Sequence, residues 1–227
     1  MNSSLLQFEN IGKTYKSGEA KLQILQDVNF ELLKGETVAI TGRSGSGKST
    51  FLNIAGSLDR PSTGEVFLLE QKLSSLGDKE LSFFRNNHIG FIFQAHILLE
   101  DFNALENVAI PALIKGEKRS HAFEKATLLL EKVGLKERLK HKSSQLSGGE
   151  RQRVAICRAL VNEADLIIAD EPTGSLDEKS AQEIEDLLFE LVEEQKRTLL
   201  MVTHNEKLAK RCSKVYVLQN RGLTAIK

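Results

Sequence analysis

The sequence is poor in cysteine and carries no net charge. Its 227 residues include two cysteines, Cys157 and Cys212, which are too few for a disulfide framework and lack the spacing of a metal site. Lysine plus arginine and aspartate plus glutamate each number 31, so the formal net charge is zero. A neutral chain offers no basic field to nucleic-acid phosphates, and we therefore expect no nucleic-acid partner.

Two further absences concern membranes and export. No apolar run approaches the roughly 20 residues that a membrane-spanning helix needs. The first residues, Met1-Asn2-Ser3-Ser4, show no basic region followed by an apolar core, so we expect no export signal. The cysteines are then interpreted as small buried or half-buried thiols in a reducing cytosol. If the protein serves a membrane, we expect it to dock onto other subunits.

What remains is an ordinary globular composition with clear segment patterns. A length of 227 residues with 41% hydrophobic and 27% charged residues suits a single α/β domain over residues 1–227. Alternating apolar residues predict short antiparallel strands within 5–35, with a turn at 17–19, and another strand after a turn at 61–64. Helical spacing predicts helices between 95 and 145, interrupted at Pro111 and Gly116 and stopped at Gly134, and a helix over 178–195. Apolar strands are predicted at 166–170 and 199–203, with a final hairpin at 215–218 and 223–226.

A glycine-rich phosphate-binding pattern is the most informative feature that is present. Gly42-Arg43-Ser44-Gly45-Ser46-Gly47-Lys48-Ser49 matches G-x-x-x-x-G-K-[ST] at every fixed position. It follows a strand-like run, 37–40, and precedes a helix-like run, 50–55, so backbone N–H groups and a helix N-terminus would face an anion. Lys48 is predicted to contact the β- and γ-phosphates, and the Ser49 hydroxyl to bind Mg²⁺. The pattern predicts a nucleoside triphosphate site, with ATP as the favoured nucleotide.

Two later stretches add to this site. Leu166-Ile167-Ile168-Ala169-Asp170-Glu171 is an apolar strand that ends in two carboxylates, and Asp170 is placed to hold the same Mg²⁺. In Leu146-Ser147-Gly148-Gly149-Glu150, the serine and glutamate form an S-x-x-E capping box. The two glycines that follow the cap lower helix propensity by about 1 kcal/mol each relative to alanine. A cap alone does not require that cost, whereas bare backbone close to a phosphate does.

Together, these stretches resemble the Walker A, signature and Walker B motifs of the ABC-transporter ATPases, and the resemblance covers essentially the whole chain. It implies an α/β fold: a P-loop NTPase nucleotide-binding domain with a RecA-like core, an N-terminal antiparallel β-subdomain and an inserted helical subdomain at about 95–145. Glu171 is implied as the general base and His204 as the residue that bonds the γ-phosphate and orients the attacking water. The implied nucleotide contacts are Tyr15, Gly42, Arg43, Ser44, Gly45, Ser46, Gly47, Lys48, Ser49, Thr50, Ser147, Gly148 and Gly149, and the implied metal ligands are Ser49, Gln94 and Asp170.

Each implied role has a plainer alternative. Glu171 could be a solvated loop carboxylate, and His204 a neighbour of a helix cap or a core histidine. Tyr15, implied to stack on adenine, could instead be strand packing. The signature motif is too far along the chain to be assigned to its own P-loop, and the resemblance implies that it closes over ATP bound by a second copy. A head-to-tail homodimer is therefore expected on ATP binding, with Asp177 contacting the facing subunit.

One branch of the family matches most closely. Glu171-Pro172-Thr173-Gly174-Ser175-Leu176-Asp177 is typical of the branch that holds the LolD, MacB and FtsE ATPases, although Ser175 stands where Asn is usual. The segment 90–111 is most similar to the LolD family. This resemblance implies an ATPase peripheral to the cytoplasmic face of the inner membrane, working with integral membrane subunits similar to LolC and LolE to release lipoproteins toward a periplasmic carrier.

Other functions are left open by the sequence. Within the branch, the alternative is the ATPase of a MacB-like efflux or FtsE-like cell-division complex. A soluble ABC ATPase of DNA repair or translation usually carries coiled coils, zinc modules or a second ATPase domain, which are not evident here. A plain P-loop kinase would lack the signature motif. The segment 95–113 is expected to form part of a docking surface through its apolar residues Ile97, Leu98, Leu99, Phe102, Leu105 and Val108.

Overall fold

The computed structural model of the chain describes residues 3–18 and 20–227. The chain forms two compact units, Met1–Arg85 with Thr198–Lys227, and Asn86–Arg197. The strands are β1 (Ser4–Ser17), β2 (Ala20–Leu33), β3 (Thr37–Thr41), β4 (Thr63–Leu68), β5 (Gln71–Lys72), β6 (Ile89–Phe93), β7 (Leu166–Asp170), β8 (Thr198–Val202), β9 (Lys214–Gln219) and β10 (Gly222–Ala225). The helices are α1 (Lys48–Ala55), α2 (Asp78–His88), α3 (Ala104–Lys115), α4 (Arg119–Lys132), α5 (Gly148–Leu160), α6 (Glu178–Glu194) and α7 (Glu206–Arg211).

An antiparallel sheet of order β2-β1-β4-β5 forms one part of the first unit. The expected short strands within 5–35 are instead two long strands of 14 residues each. Register shifts along the β1–β2 pair break the apolar alternation, which explains why the pattern indicated shorter pieces. The predicted turn at 61–64 is shorter than expected because β4 already begins at Thr63. Glu19, part of the other predicted turn, lies outside the described residues.

Parallel strands form the second part of the first unit. Strand β3 pairs in parallel with β8 on one side and β9 on the other, and β9 forms the predicted hairpin with β10. The three central residues of β3 are fully buried, as its apolar sequence requires. Phe8, Phe30 and Phe51 pack edge to face or tilted, with ring centroids 4.9–6.0 Å apart. This aromatic cluster fixes α1 against the antiparallel sheet.

In the second unit, β6 and β7 pair in parallel, with Phe93 opposite Asp170. Strand β7 spans the predicted 166–170, and its first four residues are buried. Close packing of α5 on β6 requires Gly90, because a Cβ there would lie 2.1 Å from the Ala159 carbonyl oxygen. Helix α6 confirms the helix predicted over 178–195, although Ala181 and Leu187 are only half-buried.

The helices between 95 and 145 correct one expectation. Pro111 does not interrupt α3, which runs on to Lys115 and ends at Gly116 with φ +96°. An interior proline costs about 3 kcal/mol. The buried face of α3 and its Asn103–Glu106 capping box offset that cost. Helix α4 ends at Lys132, and Gly134 follows with φ +76°, so the predicted stop is confirmed. Within residues 3–18 and 20–227, no helix combines the length and apolar content needed to cross a bilayer.

Candidate functional site

The glycine-rich loop leaves the carboxyl end of β3 and enters α1. Gly42, Gly45 and Gly47 all have positive φ, at 151°, 78° and 104°. A Cβ at position 42 would lie 2.6 Å from the Leu218 carbonyl oxygen, and one at position 47 would lie 2.7 Å from Ile24 Cγ2. The loop therefore needs glycine at both positions for steric reasons as well as for backbone conformation.

Positive charge and unpaired donors concentrate at the start of α1. Gly47 is its N-cap and, in the part of the chain that the structure describes, no side-chain cap bonds the first backbone N–H groups of the helix. Lys48 Nζ donates to the Gly42 and Arg43 carbonyl oxygens at 2.9 and 3.0 Å, which keeps the ammonium over the loop. Among the residues that the structure describes, the buried Ser46 Oγ has no hydrogen-bond partner. The arrangement is that of an anion site.

His204 lies at the same edge of the parallel sheet as this loop. Strand β8, which precedes it, pairs with β3 so that Val202 is opposite Ile40, and Thr203 N donates to the Ile40 carbonyl oxygen at 3.2 Å. His204 is exposed, which excludes the core-histidine alternative. The next residue, Asn205, caps α7, so His204 is the neighbour of a helix cap, as the other alternative proposed.

Tyr15, the residue predicted to stack on the base, lies on β1 of the first unit. Its ring is 40% exposed on β1, which is too much for a residue that only packs in the core. The hydroxyl donates to Asp59 Oδ2 at 2.7 Å, and the Thr50 side chain also hydrogen-bonds to it. The ring is thereby attached to α1 and to the turn that follows this helix.

The second unit brings Gln94, Asp170 and Glu171 together. Gln94 follows β6 and Glu171 follows β7, and these parallel strands end side by side. A Cβ at Gly174 would lie 2.9 Å from Gln94 Nε2 and 3.4 Å from Glu171 Cβ. The glycine therefore lets the chain at 174 pass close to both Gln94 and Glu171. Ser175 Oγ donates to the Gln94 carbonyl oxygen at 3.1 Å. Ser175 thus retains a local contact at the position where Asn is usual.

Glu171 has an unusual backbone conformation. Its φ is +45°, a left-handed value that costs a residue with a side chain on the order of 1–3 kcal/mol. The Gly174 N–H donates to its carbonyl oxygen at 3.0 Å and closes a turn around it. Such strain is common where a side chain must be held in a fixed direction at a functional site.

Helix α5 begins at the predicted signature motif. Ser147 Oγ accepts from the Glu150 N–H at 3.2 Å, and Glu150 Oε2 accepts from the Ser147 N–H at 2.7 Å, so the capping box is present. The hydrogen bond from the Ser147 backbone, together with Arg138, lowers the pKa of Glu150. Local packing also favours glycine at position 148, because a Cβ there would lie 3.2 Å from Leu176 Cδ2. Asp177, next to Leu176, caps α6 by accepting from the Ser180 N–H at 3.0 Å.

Three polar residues of these sites were missed by sequence reasoning. Gln152 is fully buried and donates to the Pro172 carbonyl oxygen at 2.6 Å, directly after Glu171. The sequence could have indicated this burial, because Gln152 lies at helical spacing from the apolar residues that α5 buries. Lys13 and Asp59 form a 2.6 Å ion pair beside Tyr15. Lys13 is visible in the sequence two positions from Tyr15, but its pairing with Asp59, 46 residues away, is not.

Comparison with known proteins identifies the family. The model of the family described as "ABC transporter" matches residues 25–174. The lipoprotein-releasing system ATP-binding protein LolD of Saccharophagus degradans is 47% identical over 219 residues, which is 96% of each chain. LolD of Treponema denticola is 46% identical over 226 residues, covering 100% of both chains. The chain belongs to the ABC transporter family, among the LolD proteins.

Solved structures of this family agree with the fold. The ATP-binding cassette MJ0796, in a dimeric post-hydrolysis state bound to ADP and Pi, is 40% identical and matches with a TM-score of 0.90 over 98% of both chains. A second dimeric structure of MJ0796 matches with a TM-score of 0.89. The predicted P-loop NTPase nucleotide-binding domain of the ABC type is therefore confirmed as the fold of this family member.

Proposed function

We propose that the chain is the ATP-binding and ATP-hydrolysing subunit of an ABC complex at the inner membrane, where it drives release of lipoproteins toward a periplasmic carrier. The observation that carries the ATP site is the glycine cradle at 42–47 under the Lys48 ammonium. The names of the LolD relatives support the lipoprotein-releasing system over efflux, cell division or DNA repair.

A triphosphate fits the cradle chemically. Positive-φ glycines at 42, 45 and 47 turn backbone N–H groups inward, and the buried Ser46 hydroxyl has a free hydrogen-bonding capacity within the described chain. In this proposal, residues 42–50 bind the phosphates and Lys48 neutralises the β/γ oxygens. Tyr15 stacks on the base through its exposed ring. Its π-face accepts any purine, so the stacking contributes affinity rather than a choice of base.

Magnesium is the metal that this donor set suits. Among the residues that the structure describes, no three His, Cys, Asp or Glu residues cluster as a metal cage. Mg²⁺ is usually bound by one or two protein oxygens together with substrate phosphates, and Ser49, Gln94 and Asp170 supply such oxygens. When bound, the ion neutralises charge on the β- and γ-phosphates and orients them.

Glu171 and His204 carry the proposed chemistry. The Glu171 carboxylate accepts a proton from the attacking water, and its strained backbone holds it in one direction. His204 orients that water through a hydrogen bond. Because phosphoryl transfer depends mainly on positioning and electrostatics, these residues act by holding the reactants in line.

The active assembly in this proposal is a head-to-tail homodimer that forms on ATP binding. Residues 147–149 present the N-terminus of α5, a 13-residue helix whose first two residues are glycines, to the ATP of the second copy. Asp177 contacts the facing subunit. Both structures of MJ0796 named above are dimeric, which supports a dimeric assembly.

Docking onto integral membrane subunits, of the LolC and LolE type, is assigned to the segment 95–113. Ile97, Leu99 and Phe102 are 55%, 45% and 40% exposed, whereas Val108 is buried in the helical core. Exposed apolar side chains that lie close together in the chain, as at 97–102, often mark an interaction site. The chain would then be a peripheral protein on the cytoplasmic face of the inner membrane, acting as one ABC ATPase domain over 1–227 with its helical subdomain at about 95–145.

The Lys48→Ala variant tests the ATP site. Removing the ammonium deletes a charge-assisted contact to phosphate, so we expect ATP affinity to fall about 10- to 100-fold. Equilibrium titration with a fluorescent ATP analogue measures this, with Lys210→Ala on the exposed face of α7 as the control. Unchanged affinity in a folded Lys48→Ala protein would contradict the assignment of the glycine-rich loop.

A further inference from the structure

A charged pair fixes the Tyr15 side chain from two directions. Lys13 Nζ donates to Asp59 Oδ1 at 2.6 Å and to the Arg60 carbonyl oxygen at 2.6 Å, and it lies 4.8 Å from the centre of the Tyr15 ring. The Tyr15 hydroxyl donates to the other carboxylate oxygen, Asp59 Oδ2, at 2.7 Å. Lys13 is nearly buried, at 9% exposure, so its own two contacts are partly shielded from water, whereas the hydrogen bond between Tyr15 and Asp59 lies at the surface.

Asp59 is itself attached to the helix that follows the glycine-rich loop. The N–H groups of Leu58 and Asp59 both donate to the Asn53 carbonyl oxygen in α1, at 2.8 and 3.1 Å. The Arg60 N–H donates to Asp59 Oδ1 at 2.8 Å. The carboxylate therefore sits at a fixed position relative to α1, and it transmits that position to the Tyr15 ring on β1.

We propose that Lys13 and Asp59 are positioning residues that hold the Tyr15 ring at a set distance from the phosphate-binding loop for stacking of a purine base. The inference rests on the proposed ATP site. The Lys13 ammonium covers one face of the ring, so the base stacks on the opposite face. Ordering the ring before the nucleotide arrives removes an entropic cost that binding would otherwise carry.

The protonation states agree with this geometry. Burial alone would raise the pKa of Asp59, but the hydrogen bonds from Lys13 and Tyr15 outweigh it and lower that pKa. Burial and the hydrogen bond to Asp59 raise the pKa of the Tyr15 hydroxyl. At neutral pH Asp59 is a carboxylate acceptor and Tyr15 a phenol donor, as this arrangement of Lys13, Asp59 and Tyr15, here called the clamp, requires.

Asp59→Asn is the central variant because the amide has one acceptor oxygen for the two donors, Lys13 and Tyr15. We expect its ATP affinity to fall about three- to tenfold, the range for losing the pre-ordering of one side chain. The affinity for inorganic tripolyphosphate, which has no base, should not change. Glu65→Gln is the matched control, since Glu65 pairs with Lys72 in the same antiparallel sheet, with no role in the proposed clamp.

A double-mutant cycle separates the clamp from general support of the fold. If Asp59 acts through the Tyr15 ring, Asp59→Asn and Tyr15→Phe combined lose less ATP affinity than the sum of the two single losses. In a Tyr216→Phe background, where Tyr15 is the remaining tyrosine, absorbance titration should give a lower phenol pKa for Asp59→Asn than for Asp59. Lys13→Met reproduces the selective loss of ATP affinity and replaces Asp59→Asn if that variant does not fold.

Three results would overturn the clamp. These are an additive cycle, an equal loss of ATP and tripolyphosphate affinity, or an unchanged phenol pKa. The proposed ATP site is tested separately by Lys48→Ala, which should weaken both ligands. If Lys48→Ala weakens neither ligand, the ATP site is wrong, whereas normal weakening there with a failed clamp test contradicts the positioning role alone.

Discussion

Gln152 illustrates, at the residue scale, how a buried polar group supports a reactive loop. The side chain is fully buried in α5 and its amide donates to the Pro172 carbonyl oxygen at 2.6 Å. Pro172 directly follows Glu171, whose φ of +45° is unfavourable for any residue with a side chain. The hydrogen bond therefore helps to hold the strained turn that carries the proposed general base.

We predict that Gln152→Met destabilises the protein and slows turnover. The substitution keeps side-chain volume but leaves the Pro172 carbonyl unpaired, at a cost of about 1–3 kcal/mol in the free energy of unfolding. ATP turnover should fall more than ATP affinity, because the phosphate-binding loop does not depend on this contact. Denaturant unfolding and steady-state kinetics measure the two effects.

Gln182→Met is the matched control for this prediction. Gln182 lies on the exposed face of α6, where its amide bonds to Asp186. Exposed side-chain hydrogen bonds contribute little to stability, so this variant should unfold like the unmodified protein. Equal destabilisation of both variants, or a Gln152→Met protein with normal turnover, would contradict the supporting role of Gln152.

At the scale of elements, local signals predicted most of the fold. The strands 37–41 and 166–170 and the helix 178–194 follow from apolar content and spacing alone. The capping box at Ser147 was visible as S-x-x-E. Long-range pairing was not visible, which is why β1 and β2 were expected to be short and why the small strand β5 went unpredicted. Helix α2 went unpredicted because it is largely polar and buries Leu81 alone among its described residues. Pro111 was expected to interrupt a helix because the packing that buries one face of α3 is not visible in the sequence of α3 alone.

The candidate site shows the same division. Residues within a contiguous motif, such as 42–49, could be identified from spacing because their chemistry is local. Contacts between motifs could not, including the Ser175 hydroxyl on the Gln94 carbonyl and the Asp59 carboxylate on Tyr15. Such contacts join residues that are 81 and 44 positions apart, and only the folded chain brings them together.

The segment 97–102, with its exposed apolar residues, is predicted to contact the membrane subunits. Phe102→Glu or Leu99→Glu should leave ATP binding by the isolated subunit intact and reduce recovery of the membrane subunits at least about tenfold, as for a central apolar contact. Both side chains are exposed, so the charge should not disturb the core. Co-purification from detergent-solubilised membranes, together with ATPase stimulation, is the measurement.

Leu128→Glu is the control for this surface. Leu128 is 61% exposed on α4, outside the segment 95–113, and its substitution adds the same charge elsewhere on the second unit. A circular-dichroism melt of each variant reports on folding. Normal recovery of the membrane subunits with normal stimulated ATPase in the Phe102→Glu and Leu99→Glu proteins would exclude docking at this segment.

At the scale of the whole molecule, one chain carries two helix N-termini suited to anions. One is α1, which begins after the glycine cradle, and the other is α5, which begins at the signature glycines. The proposed homodimer uses both, because each copy supplies α1 to one ATP and α5 to the other. A single copy should then bind ATP and hydrolyse it slowly, whereas the ATP-bound pair turns it over.

The Glu171→Gln variant tests this account most directly. The amide keeps the size of the side chain but cannot accept a proton, so ATP should bind normally, turnover should nearly cease, and the ATP-bound dimer should accumulate. Size-exclusion chromatography with and without Mg-ATP measures the dimer, and phosphate release measures turnover. The account predicts a dimer that appears only with Mg-ATP. A Glu171→Gln protein that remains monomeric with bound ATP, or that hydrolyses it at the unmodified rate, would contradict it.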